Sequence, residues 1–137
     1  MLLKTKEIVF SRATGLCEYC KSPANISSQP FVIEHIVAKS KGGTSELTNI
    51  ALSCQGCNNH KYNKQFGFDF ISKLTIDLFH PRLDSWSEHF SWSDDTLQVI
   101  GITPTGRVTV KELKLNRTEL LNLRNLLFDA GKHPPIE

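Results

Sequence analysis

The amino-acid sequence predicts an α+β fold for this chain, and three features support the prediction. Two C-x-x-C pairs, Cys17/Cys20 and Cys54/Cys57, contain its only cysteines. Short apolar segments between those pairs have the composition of β-strands, and helical patterns lie near both ends of the chain. With 137 residues, of which 39% are hydrophobic, the chain has enough apolar side chains for one modest core.

The two cysteine pairs have the spacing of a structural metal site. Two thiolate pairs, each on a tight turn, supply the four ligands of a closed tetrahedral zinc site. The N-terminus lacks the long apolar core of a secretion signal, and no apolar run reaches membrane-spanning length. We therefore expect a cytoplasmic protein, in which zinc ligation is favoured over two disulfides. Two disulfides are kept as the alternative.

Local signals predict the order of elements in residues 1–66. Apolar residues spaced between charged ones near the N-terminus favour an amphipathic helix. Two short apolar segments, each bounded by polar residues that favour turns, are typical of strands. The predicted elements are a helix ending near Gly15, a loop from Pro23 to Pro30, a strand at Phe31–Ile33, a polar loop at Lys39–Asn49, a strand at Ile50–Leu52 and a helix beginning within Asn58–Gln65.

The second half of the chain has weaker local signals, and residues 66–79 give no firm prediction. A turn motif between two apolar segments predicts a β-hairpin, and an Asn–Glu capping pattern before periodic leucines predicts a closing helix. The hairpin comprises Leu97–Ile102 and Arg107–Val110 around Thr103–Gly106, and the helix starts at Asn116 with Leu120, Leu123, Leu126 and Leu127 on one face. We divide the chain into a core of residues 1–66 and an extension of residues 67–137 packed on it.

The order of motifs from Cys17 to Lys64 resembles the HNH endonucleases of the ββα-metal fold, in their zinc-bound variety. The shared motifs are C-x-x-C, Glu-His-Ile, Lys-x-Gly-Gly, Thr-Asn-Ile and C-x-x-C-Asn-x-x-Lys. Several such elements in one order are far more specific than a single C-x-x-C. The resemblance implies a ββα core stapled by a four-cysteine zinc site, and hydrolysis of phosphodiester bonds in DNA assisted by Mg²⁺ or a similar divalent cation.

The resemblance also implies a role for each polar residue beside the cysteines. His35 takes the place of the family's general base, for which imidazole is suited because its pKa of about 6.5 leaves much of it neutral near pH 7. Glu34 matches an acidic ligand of the catalytic cation, with a solvated or salt-bridged glutamate as the alternative, and Asn58 matches a further ligand. Asn49 matches the middle family residue, which ties the polar loop through side-chain-to-backbone hydrogen bonds.

Two expectations concern the geometry of these ligands. Alternation along a strand turns Glu34 and His35 to opposite faces, so we expect the strand to end or bulge at this point. Two residues along a helix correspond to a rotation of about 200°, so Asn58 and His60 should not face the same metal. We favour Asn58 as the ligand and keep His60 as its substitute.

The charge distribution favours a polyanionic partner for the first half of the chain, although an ordinary solvated surface explains the same charges. Residues 1–66 carry eight Lys/Arg and four Asp/Glu, whereas residues 67–137 carry eight and ten. DNA is the expected partner, and nothing in the sequence indicates a membrane or an obligate protein partner. The candidates for contacts with the nucleic-acid backbone are Lys39, Lys41, Lys61 and Lys64.

The extension is similar to one found in a group of small bacterial HNH proteins, and the similarity implies no role for it. Its polar residues are candidates for contacts with phosphate or for support of the site. Alternatively, its aromatic residues anchor the extension to the core, and its polar residues provide hydrogen bonds to buried polar groups. The similar segments are Leu78–Arg82, Trp86–Trp92 and Gly101–Arg107, and the polar candidates are His80, Arg82 and His89.

The sequence is compatible to different degrees with three functional classes. The leading hypothesis is a zinc-stapled nuclease that acts on DNA. The alternative is a non-cleaving nucleic-acid-binding zinc module, which the weak, neutral ligand Asn58 favours. A redox protein is disfavoured, because neither C-x-x-C pair lies in a βαβ context.

Overall fold

We describe residues 2–136 of a computed structural model of the chain. They form helices and short antiparallel strands, which confirms the predicted α+β class. Three short 3₁₀ turns lie at Ala24–Ile26, Lys39–Lys41 and Leu47–Asn49. The main elements are, in order, α1 (Leu3–Arg12), β1 (Val32–His35), β2 (Ile50–Ser53), α2 (Gln55–Lys61), β3 (Phe66–Asp69), β4 (Leu74–Asp77), α3 (Trp86–His89), β5 (Phe90–Trp92), β6 (Val99–Gly101), α4 (Pro104–Leu113) and α5 (Thr118–Asp129).

The strands form three separate two-stranded antiparallel sheets, each made of neighbouring strands along the chain. In the first, β1 pairs with β2 from Val32 opposite Ser53 to His35 opposite Ile50. Helix α2 follows β2 after a single residue and packs against β1. These three elements form the ββα unit that the motif order predicts.

Helix α2 begins earlier than predicted, inside the second cysteine pair. Its N-cap is Cys54, whose sulfur accepts a hydrogen bond from the backbone N–H of Cys57 at 3.4 Å. The cap role of a thiol sulfur is not visible in standard capping preferences, which favour Ser, Thr, Asp and Asn. The helix ends at Lys61, because Tyr62 adopts a φ of 50° that a helix cannot continue.

The hairpin predicted between Leu97–Ile102 and Arg107–Val110 is wrong. Residues 107–110 lie in helix α4, and β6 forms its hairpin with β5, the strand that precedes it in the chain. The hydroxyl of Thr103 caps the helix by accepting from the N–H of Gly106 at 3.0 Å, and Pro104 occupies the first helical position. Thr followed by Pro is a helix-start signal that resembles a turn motif when it follows a strand.

The closing helix exists, but its start and its buried face differ from the prediction. The side chain of Asn116 bonds to the backbone of Val99 instead of capping α5, which begins after Arg117 without a side-chain cap. Leu126 is 69% exposed, whereas Arg124 is buried. The Arg124 guanidinium is accommodated because it donates to backbone carbonyls, including that of Leu115 at 2.7 Å.

One hydrophobic cluster joins the four cysteines to aromatic and aliphatic residues of the extension. Trp86 packs into this cluster and donates its indole N–H to the carbonyl of Tyr19 at 2.9 Å. A smaller cluster packs α1 against β2 through residues that include Val9 and Ile50. The proposed division into residues 1–66 and 67–137 stays a prediction. The extension members of the main cluster are Leu78, Phe79, Trp86, Phe90, Val99, Val108, Leu113, Leu115 and Leu120.

An ion pair between the buried Asp69 and the half-buried Arg107 fixes the β3–β4 hairpin to helix α4. The Asp69 carboxylate accepts two bonds from the Arg107 guanidinium, each 2.9 Å long, and one from the N–H of Ser72 at 3.0 Å. These bonds, above all those from Arg107, hold the pKa of Asp69 well below its ordinary value. A carboxylate with a depressed pKa stabilises the fold above its unfolded-state pKa, and this contribution is lost as the pH falls through its folded value.

We expect Asp69→Asn to lower the free energy of unfolding at neutral pH and to remove part of its dependence on acid pH. Urea unfolding at neutral pH and at several values below pH 5 measures both effects. The matched control is Asp77→Asn, which changes an exposed carboxylate of the same hairpin. Equal acid sensitivity of the wild type and Asp69→Asn would contradict the assignment.

Candidate metal centre and active site

The four cysteines converge on one buried point, where they can hold a metal ion. Their sulfur atoms all lie within 4.8 Å of one another, and those of Cys20 and Cys54 are 3.7 Å apart. A tetrahedral zinc site with Zn–S bonds of about 2.3 Å separates its sulfurs by about 3.8 Å. The donor set and its spacing therefore fit zinc.

Each cysteine pair also provides a backbone donor to one of its sulfurs. The N–H of Cys20 points to the sulfur of Cys17 at 3.5 Å, and the N–H of Cys57 points to that of Cys54 at 3.4 Å. Burial raises the pKa of the Cys17 thiol well above its ordinary value. Because metal ligation requires thiolates, ion binding at this cluster is coupled to proton release.

His35 is the last residue of β1, and its ring is held from one side. Its Nε2 atom lies 2.9 Å from the hydroxyl oxygen of Ser45, a contact that no sequence motif signals. Its Nδ1 atom has no hydrogen-bond partner within residues 2–136. Burial, with a smaller contribution from the positive charge of Lys39, lowers the pKa of His35. The ring is therefore neutral near pH 7, with one nitrogen positioned and the other open.

Asn49 ties the loop that follows His35. Its side chain accepts from the N–H of Val37 at 2.9 Å and donates to the carbonyls of Val37 at 3.0 Å and Thr44 at 2.8 Å. These are the side-chain-to-backbone bonds expected at this position. Gly43 completes the arrangement, because a Cβ there would lie 1.7 Å from the Val37 carbonyl oxygen. This close approach gives a physical reason for glycine in the Lys-x-Gly-Gly motif.

Glu34 turns inward, away from His35, and is already partnered. The ladder between β1 and β2 is regular through Glu34 and His35, so there is no bulge; β1 instead ends at His35, which is the other expected outcome. One oxygen of Glu34 accepts from the hydroxyl of Tyr19, and the other accepts from the Lys61 ammonium at 3.2 Å. Burial raises the pKa of Glu34, against the opposing effects of Lys61 and Tyr19.

The expectation that Lys61 contacts phosphate is not met in this structure, because its side chain is only 2% exposed. Its ammonium donates to Glu34 and, at 2.7 Å, to the carbonyl of Ile36. Neither Lys61 nor Tyr19 was expected to bind Glu34. The Tyr19 contact has no local signal, since the two residues are separated by fifteen positions.

Helix α2 presents its polar residues to two different sides. Lys61 reaches β1, and Asn58, three residues earlier, lies on the same side of the helix. His60 lies on another side, where it lines a groove with Gln55 and Arg117. The structure therefore does not bring His60 to His35, and its use as the substitute ligand has no support from this arrangement.

Glu34 and Asn58 provide the hard oxygen donors that a divalent cation prefers. Their chemistry fits Mg²⁺, but the negative charge of Glu34 is neutralised by Lys61. A cation that binds Glu34 therefore competes with the ammonium of Lys61 for the same carboxylate. The predicted role of Glu34 and Asn58 as cation ligands stays a prediction.

The remaining lysines are exposed to solvent, whereas the polar candidates of the extension form contacts within the protein. Lys39 and Lys41 are exposed on the turn that follows His35, and Lys64 is exposed beyond the end of α2. The extension residues make internal contacts instead. Arg82 forms an ion pair with Glu18, the Nδ1 of His80 accepts from the N–H groups of Arg82 and Leu83, and the Nδ1 of His89 lies 2.6 Å from the Thr103 hydroxyl oxygen.

The buried pair of Glu34 and Lys61 leads to a stability prediction. Lys61→Met leaves a buried carboxylate without its ammonium and should cost about 3–5 kcal/mol of unfolding free energy. The pKa of Glu34 is already raised by burial, and loss of the ammonium raises it further. The cost should therefore be largest at high pH and shrink as the pH falls and Glu34 takes up a proton.

Urea unfolding of Lys61→Met, Glu34→Gln and the double variant measures this coupling. We expect the double variant to be far less destabilised than the sum of the single variants. Lys64→Met removes an exposed lysine near the end of the same helix, and loss of its surface ion pair with Glu112 should change stability by no more than about 1 kcal/mol. Additive costs in the double variant would show that the two side chains do not interact.

Comparison with known proteins agrees with this geometry. A family model of the HNH endonuclease matches residues 17–64, a range that contains the four cysteines, β1, β2 and α2. Searches of curated proteins and of solved structures each gave no match. No helix within residues 2–136 is long and apolar enough to cross a membrane. Residues 17–64, about a third of the chain, are therefore similar to the HNH endonuclease domain.

Proposed function

We propose that this protein is a metal-dependent endonuclease that hydrolyses phosphodiester bonds in DNA. The observation that carries the proposal is the state of His35 within the HNH domain. Its ring lies at the end of β1 with Nε2 beside the Ser45 hydroxyl and Nδ1 open. A neutral imidazole that is oriented from one nitrogen can take a proton from water with the other, which is what a general base requires.

The loop around His35 supports this role. Asn49 fixes the backbone of residues 37 and 44, so the strand end that carries His35 is held in place. Burial and, to a smaller extent, the positive charge of Lys39 lower the pKa of His35 and so keep its ring neutral. The exposed side chains of Lys39 and Lys41 are available to the phosphates of a DNA backbone. Lys64 is also exposed, but its ammonium pairs with Glu112 at 3.5 Å.

Glu34 and Asn58 would hold the divalent cation, Mg²⁺ or a similar ion. Such an ion, when bound, polarises the scissile phosphate and stabilises the departing oxygen. Both oxygens of Glu34 accept hydrogen bonds from Tyr19 and Lys61, so binding of the cation requires the Lys61 ammonium to leave the carboxylate. Competition with Lys61 for Glu34 makes the affinity for this ion weak in the absence of DNA.

A non-cleaving nucleic-acid-binding zinc module is the second candidate. The ion pair between Glu34 and Lys61 favours it, because a carboxylate neutralised by lysine is a poor cation ligand. In that case the exposed lysines bind the backbone and His35 has no base function. A cytoplasmic location is part of either proposal.

The first test is cleavage of supercoiled plasmid in Mg²⁺ or Mn²⁺. We expect wild type to nick the plasmid and His35→Ala to lose at least about a hundredfold in rate, the usual scale of general-base catalysis. His60→Ala is the matched control and should cleave like wild type, because His60 lies on another side of α2. Zinc content and melting temperature of both variants show whether they are folded.

The outcomes of this test separate the candidates. Undiminished cleavage by His35→Ala contradicts the general-base assignment, and loss of cleavage in His60→Ala alone transfers the role to His60. A protein that binds DNA in a gel-shift experiment but cuts with neither ion favours the non-cleaving module. Linear DNA, branched DNA and RNA in the same assay identify the preferred substrate.

The pH dependence of cleavage is the second test. The rate should rise with pH as His35 loses its proton, and the midpoint of this rise should lie below the ordinary histidine pKa of about 6.5, because burial and Lys39 lower the pKa of His35. Lys39→Met removes one of the two causes and should move the acid limb to higher pH. Lys41→Met, which changes a neighbouring exposed lysine, should weaken DNA binding without moving the limb. Equal limbs in both variants would contradict the electrostatic role of Lys39.

A further inference from the structure

The guanidinium of Arg117, a residue of the extension, lies against the second cysteine pair. Its Nη2 atom points to the sulfur of Cys54 at 3.5 Å, and both Nη1 and Nη2 point to that of Cys57 at 3.6 Å. Nη1 also donates to the carbonyls of Leu113 and Lys114 at 3.2 Å. The side chain is 13% exposed, so these contacts are made largely out of water.

Gly56, inside the second cysteine pair, makes room for this guanidinium. A Cβ at residue 56 would lie 2.5 Å from Nη2 and 3.0 Å from Cζ of Arg117. Gly56 lies in the first turn of α2, where glycine otherwise costs helix stability. The absence of a side chain at residue 56 therefore allows the Arg117 guanidinium to contact the sulfurs.

Charge explains why a cation belongs here. Four thiolates and one Zn²⁺ carry a net charge of −2, which is costly in a buried site unless it is compensated. A guanidinium is always protonated and presents several N–H donors in a fixed plane, so it can contact two sulfurs together. Outer donors of this kind orient metal ligands and tune their affinity.

We propose that Arg117 is a positioning residue of the zinc site and that one role of the extension is to retain the metal. Its guanidinium neutralises part of the thiolate charge and holds the Cys54–Cys57 turn. Because Arg117 also bonds to the end of α4, zinc binding and the packing of the extension are coupled. This inference rests on the cysteine cluster and is independent of the nuclease activity proposed above.

The test is the zinc affinity of full-length variants, measured by competition with a chromophoric chelator at a temperature where all of them are folded. Loss of outer-shell partners typically costs 10–100-fold in metal affinity, and we expect about that loss for Arg117→Met. Arg117→Lys keeps the charge but loses the planar fork, so its affinity should be intermediate. The control is Lys114→Met, which removes an exposed cation from the same segment between α4 and α5. This variant should bind zinc like wild type.

A second variant separates this role from a merely structural one. Gly56→Ala should weaken zinc binding in the wild-type background, because the new Cβ displaces the guanidinium from the sulfurs. In the Arg117→Met background, the same substitution should leave zinc affinity unchanged, because there is no guanidinium to displace. Replacing a helical glycine by alanine should at the same time raise the stability of α2. A structural role of Arg117 through Leu113 and Lys114 alone would give Gly56→Ala the same effect in both backgrounds.

Cobalt-substituted protein provides a spectroscopic readout. Loss of N–H donors to the thiolates raises the energy of their electrons, so the thiolate-to-cobalt charge-transfer band of Arg117→Met should move to lower energy. Wild-type zinc affinity and an unmoved band in Arg117→Met would overturn the proposal. So would purified protein that contains no zinc and resists chelators.

Discussion

The convergence of four cysteine sulfurs is the constraint on which the rest of the structure depends. The first pair does more than supply ligands, because the residues between its cysteines contact the ββα unit. Glu18 bonds through its backbone N–H and its side chain to Leu52 of β2, and the Tyr19 hydroxyl reaches Glu34 of β1. A metal that joins the two pairs therefore also fixes the strands that carry His35.

The ββα unit could be predicted from sequence, whereas the partners of its charged side chains could not. The strands, the turn-forming glycines and the cysteine spacing are local signals, and His35 and Asn49 lie where those signals place them. The pairing of Lys61 with Glu34 joins residues separated by 27 positions, and burial makes it possible. Lysine is rarely buried, so a surface role is the ordinary expectation for it.

The secondary structure of the extension was predicted less well, because its short polar residues form contacts that only tertiary packing determines. Thr103 and Pro104 favour either a turn or a helix start, and the choice is made by the close approach of Gly106 to the His89 carbonyl. Asn116 has the composition of a cap, but the free backbone of Val99 in the edge strand β6 competes for its side chain. Short polar side chains satisfy whichever backbone groups tertiary packing brings near them, and sequence alone does not show which these are.

Three contacts argue that the extension is part of the site's framework. Arg82 neutralises Glu18, Trp86 bonds to the Tyr19 carbonyl, and Arg117 contacts the sulfurs of the second pair. Each contact falls on one of the two cysteine turns, so the extension braces both of them. Without it, Glu18 and the thiolates would lose the cations beside them. The family match ends at residue 64, while the packing that keeps its residues in place continues well beyond it.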